Sequence, residues 1–173
     1  MNIVIRPTEL PEANLLPDIE RSAGQSFLSI PDLAWLVNHD VMSPETHREF
    51  ILAETSWVAA TEDNVLVGFL SAECFGDELH LWELSVHAEH QGQGIGKKLI
   101  QCAMDYARRN ILKALTLTTF REVAWNEPFY QRLGFVTLTA GAIGPRLSAE
   151  LKSEQAHGLP IEQRCAMRCL IAQ

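Results

Sequence analysis

The sequence predicts an α/β domain built on a mixed, mostly antiparallel sheet flanked by helices. Three observations carry that expectation. Three β-type runs follow one another across short turns in the middle of the chain, a long amphipathic helical pattern interrupts them, and strand-like and helix-like stretches then alternate to the end. The chain has 173 residues and 47% of them are hydrophobic, enough to bury a core without disulfide or metal staples. Residues 1–173 are therefore expected to form a single domain, with no repeat, linker or low-complexity tract.

The elements follow in order. Residues 2–6 alternate like a short strand that Pro7 and Thr8 end. Residues 9–50 are helical in pattern but interrupted by Pro17, Pro31 and Pro44, with Asp32 and Ser43 as N-caps of two short helices, the second reaching about Glu54. Strands are expected over residues 57–61, 65–75 and 78–87, joined by a Glu-Asp-Asn turn and by Gly76-Asp77 into an antiparallel meander. Between Gly94 and Asn110 the period changes: Ile95, Leu99, Ile100, Ala103, Met104 and Ala107 make one apolar face. Residues 114–120 return to alternation, 128–133 read as a short helix ended by Gly134, and 135–139 as a strand. A helix over about 145–155 and a strand over 163–171 close the chain.

Composition excludes some functions. With 22 acidic against 14 basic side chains and a net charge of −8, neither nucleic acid nor an anionic membrane is an expected partner. Cys74, Cys102, Cys165 and Cys169 form no Cys-x-x-Cys pair or zinc-like cluster, and His87 with His90 reads as solvated loop, so no metal is expected. The N-terminus lacks the pattern of a secretory signal and no apolar run is long enough to span a bilayer, so the expectation is a cytoplasmic protein with reduced thiols.

The most informative segment runs from residue 79 to 109. A strand enters a loop, and Gln91-Gly92-Gln93-Gly94-Ile95-Gly96 then opens the amphipathic helix. Glycines let backbone turn tightly and approach a ligand without a Cβ in the way. The first-turn N–H groups of the helix face the same space and bind anions, and Lys97 and Lys98 add positive charge. The physical reading is a pyrophosphate cradle. A dinucleotide fingerprint needs a different glycine spacing near the first strand, and no Gly-Lys-Ser/Thr follows as in a Walker loop.

Gln91-x-x-Gly94-x-Gly96 after a Leu-x-Val strand resembles the acetyl-CoA-binding motif of the GNAT acetyltransferase superfamily, and Pro128-Phe129-Tyr130-Gln131-Arg132-Leu133-Gly134-Phe135 resembles its later Tyr-x-x-x-Gly-Phe block. Both occur in the family's order, and the predicted elements follow its topology. The resemblance implies a GNAT-like sheet, splayed at the acetyl-CoA site, with acetyl-CoA as co-substrate. By position, Leu84 and Val86 would offer backbone groups to the pantetheine arm, and the amides of Gln91, Gly92, Gln93, Gly94, Ile95, Gly96 and Lys97 would hold the pyrophosphate. Tyr130 would lie near the CoA sulfur as general acid toward the thiolate. The family often has an Asn seven residues before this Tyr; here Val123 stands there.

Acyl transfer to an amine needs a base, because a free alkylammonium is mostly protonated at neutral pH. Residues two apart on a strand share a face, so His80 and Trp82 lie upstream on the face of Leu84 and Val86, and an imidazole suits the task. His80-x-Trp82-x-Leu84-x-Val86 is similar to the same strand of arylalkylamine N-acetyltransferases, where histidines serve as bases. Protein lysine acetyltransferases carry a Glu at the position of His80. Glu83 and Glu73 are competing carboxylates, and a water relay is a third route. Val86 N–H would polarise the thioester carbonyl. Trp82 and Trp125 are candidate walls of an apolar amine pocket or simply core, and Phe120 reads as core. The expected function is acetyl transfer from acetyl-CoA to the primary amine of a small molecule. Its rivals are a protein or peptide N-acetyltransferase and a non-catalytic acyl-CoA-binding domain. Residues 141–160 are a candidate lid, and a homodimer is a common state in the families resembled.

Overall fold

The computed structural model describes residues 2–173. Two compact units are present, one of Met1–Glu73 with Leu81–Asp105 and one of Cys74–His80 with Tyr106–Gln173. The first holds β1 (Val4–Pro7), α1 (Leu16–Gly24), α2 (Pro44–Leu52), β2 (Ser56–Ala60) and most of β3 (Leu66–Phe75). It also takes the later part of β4 (Glu78–Val86) and the start of α3 (Ile95–Arg109). The second holds the start of β4, the end of α3, β5 (Ala114–Phe120), α4 (Glu127–Arg132), β6 (Val136–Thr137), α5 (Gly144–Ala156) and β7 (Arg164–Leu170).

In the first unit β1 pairs antiparallel with β2, Val4 opposite Ala60 through Pro7 opposite Trp57, and β2 pairs antiparallel with β3. The two-residue connection Gly76-Asp77 then returns the chain as β4, with Gly76 at φ 61°. In the second unit β5 pairs antiparallel with β7 along its full length, and β6 lies at the outer edge of β7. β4 starts in this unit, where Glu78–His80 pair parallel with Ala114–Thr116. The strand order is thus β1-β2-β3-β4-β5-β7-β6, a seven-stranded, mostly antiparallel sheet with one parallel pair. That parallel register runs from Glu78 opposite Ala114 to His80 opposite Thr116.

Packing follows the apolar pattern. Leu16 and Ile19 of α1 cluster with Val58 and Phe69, and full burial of each such side chain contributes about 1.5–3 kcal/mol. All six residues of the predicted α3 face are buried. Gly68 allows a close approach: a Cβ there would lie 3.1 Å from Ser85 O and 3.4 Å from Ile95 Cγ2. In the second unit Leu147 and Leu151 of α5 pack with Ala166 of β7. Residues 144–156 are therefore a helix seated on the sheet, and the lid expected over 141–160 has no counterpart in them.

Several boundaries differ from expectation for local reasons. Ser43 does cap α2, its Oγ accepting from Thr46 N–H at 3.2 Å. Asp32 is no cap: it lies in the first turn of a 3-10 segment, Pro31–Asn38, whose N-cap is Ile30. Single prolines, Pro11 and Pro31, stand at the start of two short 3-10 pieces in that region. β6 shortens to two residues. No helix among the described residues is long and apolar enough to cross a membrane.

Candidate active site

The glycine turn belongs to the first unit. Gly92 and Gly94 adopt φ 75° and 79°, a region costly for residues with a Cβ, and open space faces both. Among the described residues the amides of Gly92, Gln93, Gly94, Ile95, Gly96 and Lys97 donate to no protein acceptor. Six consecutive N–H groups at the start of a fifteen-residue helix make a positive, donor-lined surface. Lys97 and Lys98 are exposed beside it. These residues fit a pyrophosphate: it accepts from amides, bears negative charge, and needs the approach that glycine permits.

The Gln91 N–H donates to Ala88 O at 3.5 Å, so it stands outside that run of amides, and its side chain braces the turn. Its Nε2 donates to Val86 O at 2.9 Å, and its Oε1 accepts from Ser26 Oγ at 3.1 Å. Ser22 Oγ accepts from Ala88 N–H at 2.9 Å, so the N-terminal segment is tied to the turn at two points. Leu84 and Val86 are half-buried in a stretch of β4 that has no register with β5. Trp82, also half-buried, donates from Nε1 to Glu73 Oε2 at 2.9 Å, and Glu83 accepts from Ser85 Oγ at 3.0 Å. Both carboxylates thus hold defined side-chain donors.

His80, Tyr130 and Trp125 belong to the second unit. Tyr130 is 8% exposed, and its ring meets Phe129 and Phe135 edge-on at 5.1 and 5.5 Å. Trp125 is partly exposed, and Phe120 is buried under the Arg164 guanidinium, as its reading as core requires. Val123 is buried. Asn126 Oδ1 is buried with no hydrogen-bond partner among the described residues.

His80 departs furthest from what its proposed chemistry asks. The imidazole is 1% exposed, Nδ1 lies 2.9 Å from Thr116 Oγ1, and the ring meets Phe75 edge-on at 6.1 Å. Burial, reinforced by the Arg146 charge, pushes its pKa down to about 3. A base effective at neutral pH has a conjugate acid near that pH. Two neighbours of His80, Thr116 and Arg146, and Glu78 bonded to Arg146, lay outside the sequence reading. Arg146 Nη2 donates to Thr116 Oγ1 at 3.1 Å and to Glu78 Oε1 at 3.0 Å, and Arg168 Nε donates to Glu78 Oε2 at 2.9 Å. No spacing rule links α5 to β5, so the sequence carried no signal for this cluster. Glu20 was missed as well: burial raises its carboxyl to about 7, against the lowering effect of Met42 N–H, which it accepts at 3.1 Å.

A glycine-built anion cradle at a helix N-terminus, after a strand whose parallel register breaks off, on a seven-stranded sheet of this order, defines an acyl-CoA-using transferase fold. The acetyltransferase (GNAT) family model matches residues 25–135, and the chain belongs to that family. Human N-acetyltransferase 8B is 36% identical over 85 residues, 46% of this chain, and the match spans only 37% of that relative's length. The PaiA N-acetyltransferase of Thermoplasma acidophilum, solved with coenzyme A, superposes with a TM-score of 0.73 at 17% identity, covering 98% of this chain and 99% of that one. N-acetylglutamate synthase of Neisseria gonorrhoeae, solved with coenzyme A and N-acetyl-glutamate, gives 0.73 at 15% identity over 100% of this chain and 36% of that one. At these identities the structures establish the shared fold.

Proposed function

We propose that the protein transfers the acetyl group of acetyl-CoA to the primary amine of a small molecule by direct attack. The observation that carries this reading is the run of six amides at Gly92–Lys97 with no acceptor among the described residues, which holds two glycines at positive φ. The neutral amine attacks the thioester carbonyl, the C–S bond breaks, and the thiolate takes a proton. Tyr130, in the Tyr-x-x-x-Gly-Phe block, is the proton donor in this reading, and Val86 N–H polarises the carbonyl. The ammonium proton leaves through Glu83 or a water relay, because a histidine held near pKa 3 is too weak an acceptor at neutral pH. Support for a small acceptor comes from the His80-to-Val86 strand, which is similar to that of arylalkylamine acetyltransferases. The coenzyme A complexes of the two structural neighbours support acetyl-CoA as co-substrate.

The test is acetyl-CoA binding by calorimetry, followed by CoA release across arylalkylamines, polyamines, amino acids, aminoglycosides and short peptides. Turnover with a small-amine class supports the proposal. Turnover confined to peptides contradicts the acceptor class, and absence of acetyl-CoA binding contradicts the reaction itself.

A further inference from the structure

Glu20 is a half-buried carboxyl on α1 with no ion-pair partner among the described residues. Its Oε1 accepts from Met42 N–H at 3.1 Å, and its Oε2 has no partner among them. The basic side chains of the first unit's N-terminal segment are engaged elsewhere. Arg21 bonds Asp18 at 2.8 Å, Arg48 bonds Glu45 at 3.1 Å and Arg6 bonds Glu12 at 2.6 Å. His47 of α2 lies against Ser71 Oγ at 3.1 Å. Burial therefore outweighs the Met42 N–H and the Arg21 charge and raises the carboxyl to about 7. A carboxyl held this way costs the fold stability, and such groups persist where function uses them.

The packing of α1 sets this carboxyl by the end of β4. Helix residues four apart share a face, so Glu20 stands on the side of Leu16, which clusters with Phe69 of β3. Val67, two residues before Phe69, shares its face of the sheet, and its carbonyl accepts from His87 N–H at 2.8 Å. The end of β4 that carries Val86 thus runs one strand spacing, about 4.8 Å, from the strand beneath α1. Beyond Glu20 the helix is fastened to the turn ahead of the glycines. Ser22 Oγ accepts from Ala88 N–H at 2.9 Å, and Ser26 Oγ bonds Gln91 Oε1 at 3.1 Å. Glu20 precedes Ser22 by only about 3 Å of helix rise. All of these residues belong to the first unit, together with the amide cradle.

We propose that Glu20 is the base of the reaction, its carboxylate receiving the acceptor's ammonium and taking a proton from it directly or through one water. The inference rests on the acetyl transfer proposed above and names where the route for the ammonium proton ends. The carboxylate and the ammonium become a carboxyl and a neutral amine. The amine nitrogen then bonds the acetyl carbon as the C–S bond breaks. The proton that the nitrogen sheds on becoming an amide balances the one the thiolate takes, and Glu20 returns its own proton to solvent. A carboxyl that titrates near neutrality is partly ionised there and still basic enough to accept.

The experiment measures kcat against pH on the best amine for wild type, Glu20→Gln and Glu20→Asp, with acetyl-CoA affinity by calorimetry beside it. Gln keeps an acceptor for Met42 N–H and removes the titrating group. The wild type is expected to gain activity through a limb near pH 7. In Glu20→Gln that limb disappears and kcat falls about 10²–10⁴-fold, while the acetyl-CoA Kd stays unchanged. Glu20→Asp, which restores a carboxylate on a shorter stem, recovers part of kcat and keeps a titrating limb. A Glu20→Gln protein within about tenfold of wild-type kcat, a limb that persists in it, or a loss confined to acetyl-CoA affinity overturns the role of Glu20. Wild-type turnover in the same assay leaves the acetyl transfer itself standing. A wild-type protein that turns over no amine overturns the acetyl transfer, and the role of Glu20 with it.

Discussion

Gln91 Nε2 donates to the backbone oxygen of Val86 at 2.9 Å, closing the loop between the end of β4 and the glycine turn. The residue that opens the motif therefore acts on the turn's geometry, and its Oε1 carries the restraint on to Ser26. A cradle of backbone amides binds well only if its N–H groups are already aimed.

Removing that brace should weaken cofactor binding without touching a ligand contact. Gln91→Ala forfeits two exposed hydrogen bonds, and at about 0.5–1.5 kcal/mol each the acetyl-CoA Kd should rise by up to roughly 5- to 150-fold. Calorimetry measures this directly. An unchanged Kd would show that the turn holds its shape without Gln91.

Gly94→Val tests the turn from the other side. At φ 79° a β-branched residue is strained by about 1–2 kcal/mol or more. Gly158, at φ 96°, supplies a control that carries similar strain outside the cradle. Both variants should lose thermal stability, while Gly94→Val alone loses acetyl-CoA affinity. Equal loss of affinity in the two would mean that strain, rather than the cradle, was being read.

Tyr130→Phe keeps the packing with Phe129 and Phe135 and removes the phenolic proton. If Tyr130 protonates the leaving thiolate, kcat falls about 10²–10⁴-fold with KM for acetyl-CoA nearly unchanged. A loss confined to KM would assign Tyr130 to binding.

Two buried histidines and the half-buried Glu20 set the pH dependence of stability. His47 is fully buried, with Nδ1 3.1 Å from Ser71 Oγ, and burial lowers its pKa from 6.5 to about 4. His80 is lowered from 6.5 to about 3. Both are neutral when folded and take up protons more readily when unfolded. Their stabilising effect is complete above about pH 6.5 and is lost as pH falls toward those lower values, by about 1.4 kcal/mol per unit of difference as an upper bound. Glu20 has the opposite sign. Its pKa is raised from 4.5 to about 7, so its contribution is complete below pH 4.5 and lost as pH rises through 7. Glu20→Gln, which keeps an acceptor for Met42 N–H, should raise stability at pH 8 by about 1–3 kcal/mol and not at pH 4. Denaturant unfolding at the two pH values decides it; a destabilised variant at pH 8 would mean that the carboxylate is ionised at no cost.

How much of this was legible beforehand depended on the range of the interaction. The face of α3 was readable because its six apolar positions recur at helical spacing, and all six are buried. Ser43 was readable because a cap bonds three residues ahead, to Thr46. Asp32 misled because a capping residue beside a proline looks alike for a 3-10 turn and an α-helix. Within the site, Gly92 and Gly94 announced their conformation by being glycine. The state of His80 was hidden, since strand alternation gave its face but not Arg146, 66 positions away along the chain and delivered by the packing of Leu147 and Leu151. Gln91 was read as a ligand contact because a motif states position, and its bonds to Val86 and Ser26 appear only in three dimensions.

The most direct test of the central claim is CoA release by the wild-type protein with acetyl-CoA and the amine panel, run beside Gly94→Val and Tyr130→Phe. The account predicts turnover with a small primary amine, lost in Gly94→Val through cofactor affinity and in Tyr130→Phe through kcat. Tight acetyl-CoA binding with no turnover on any amine, or no acetyl-CoA binding at all, would contradict it.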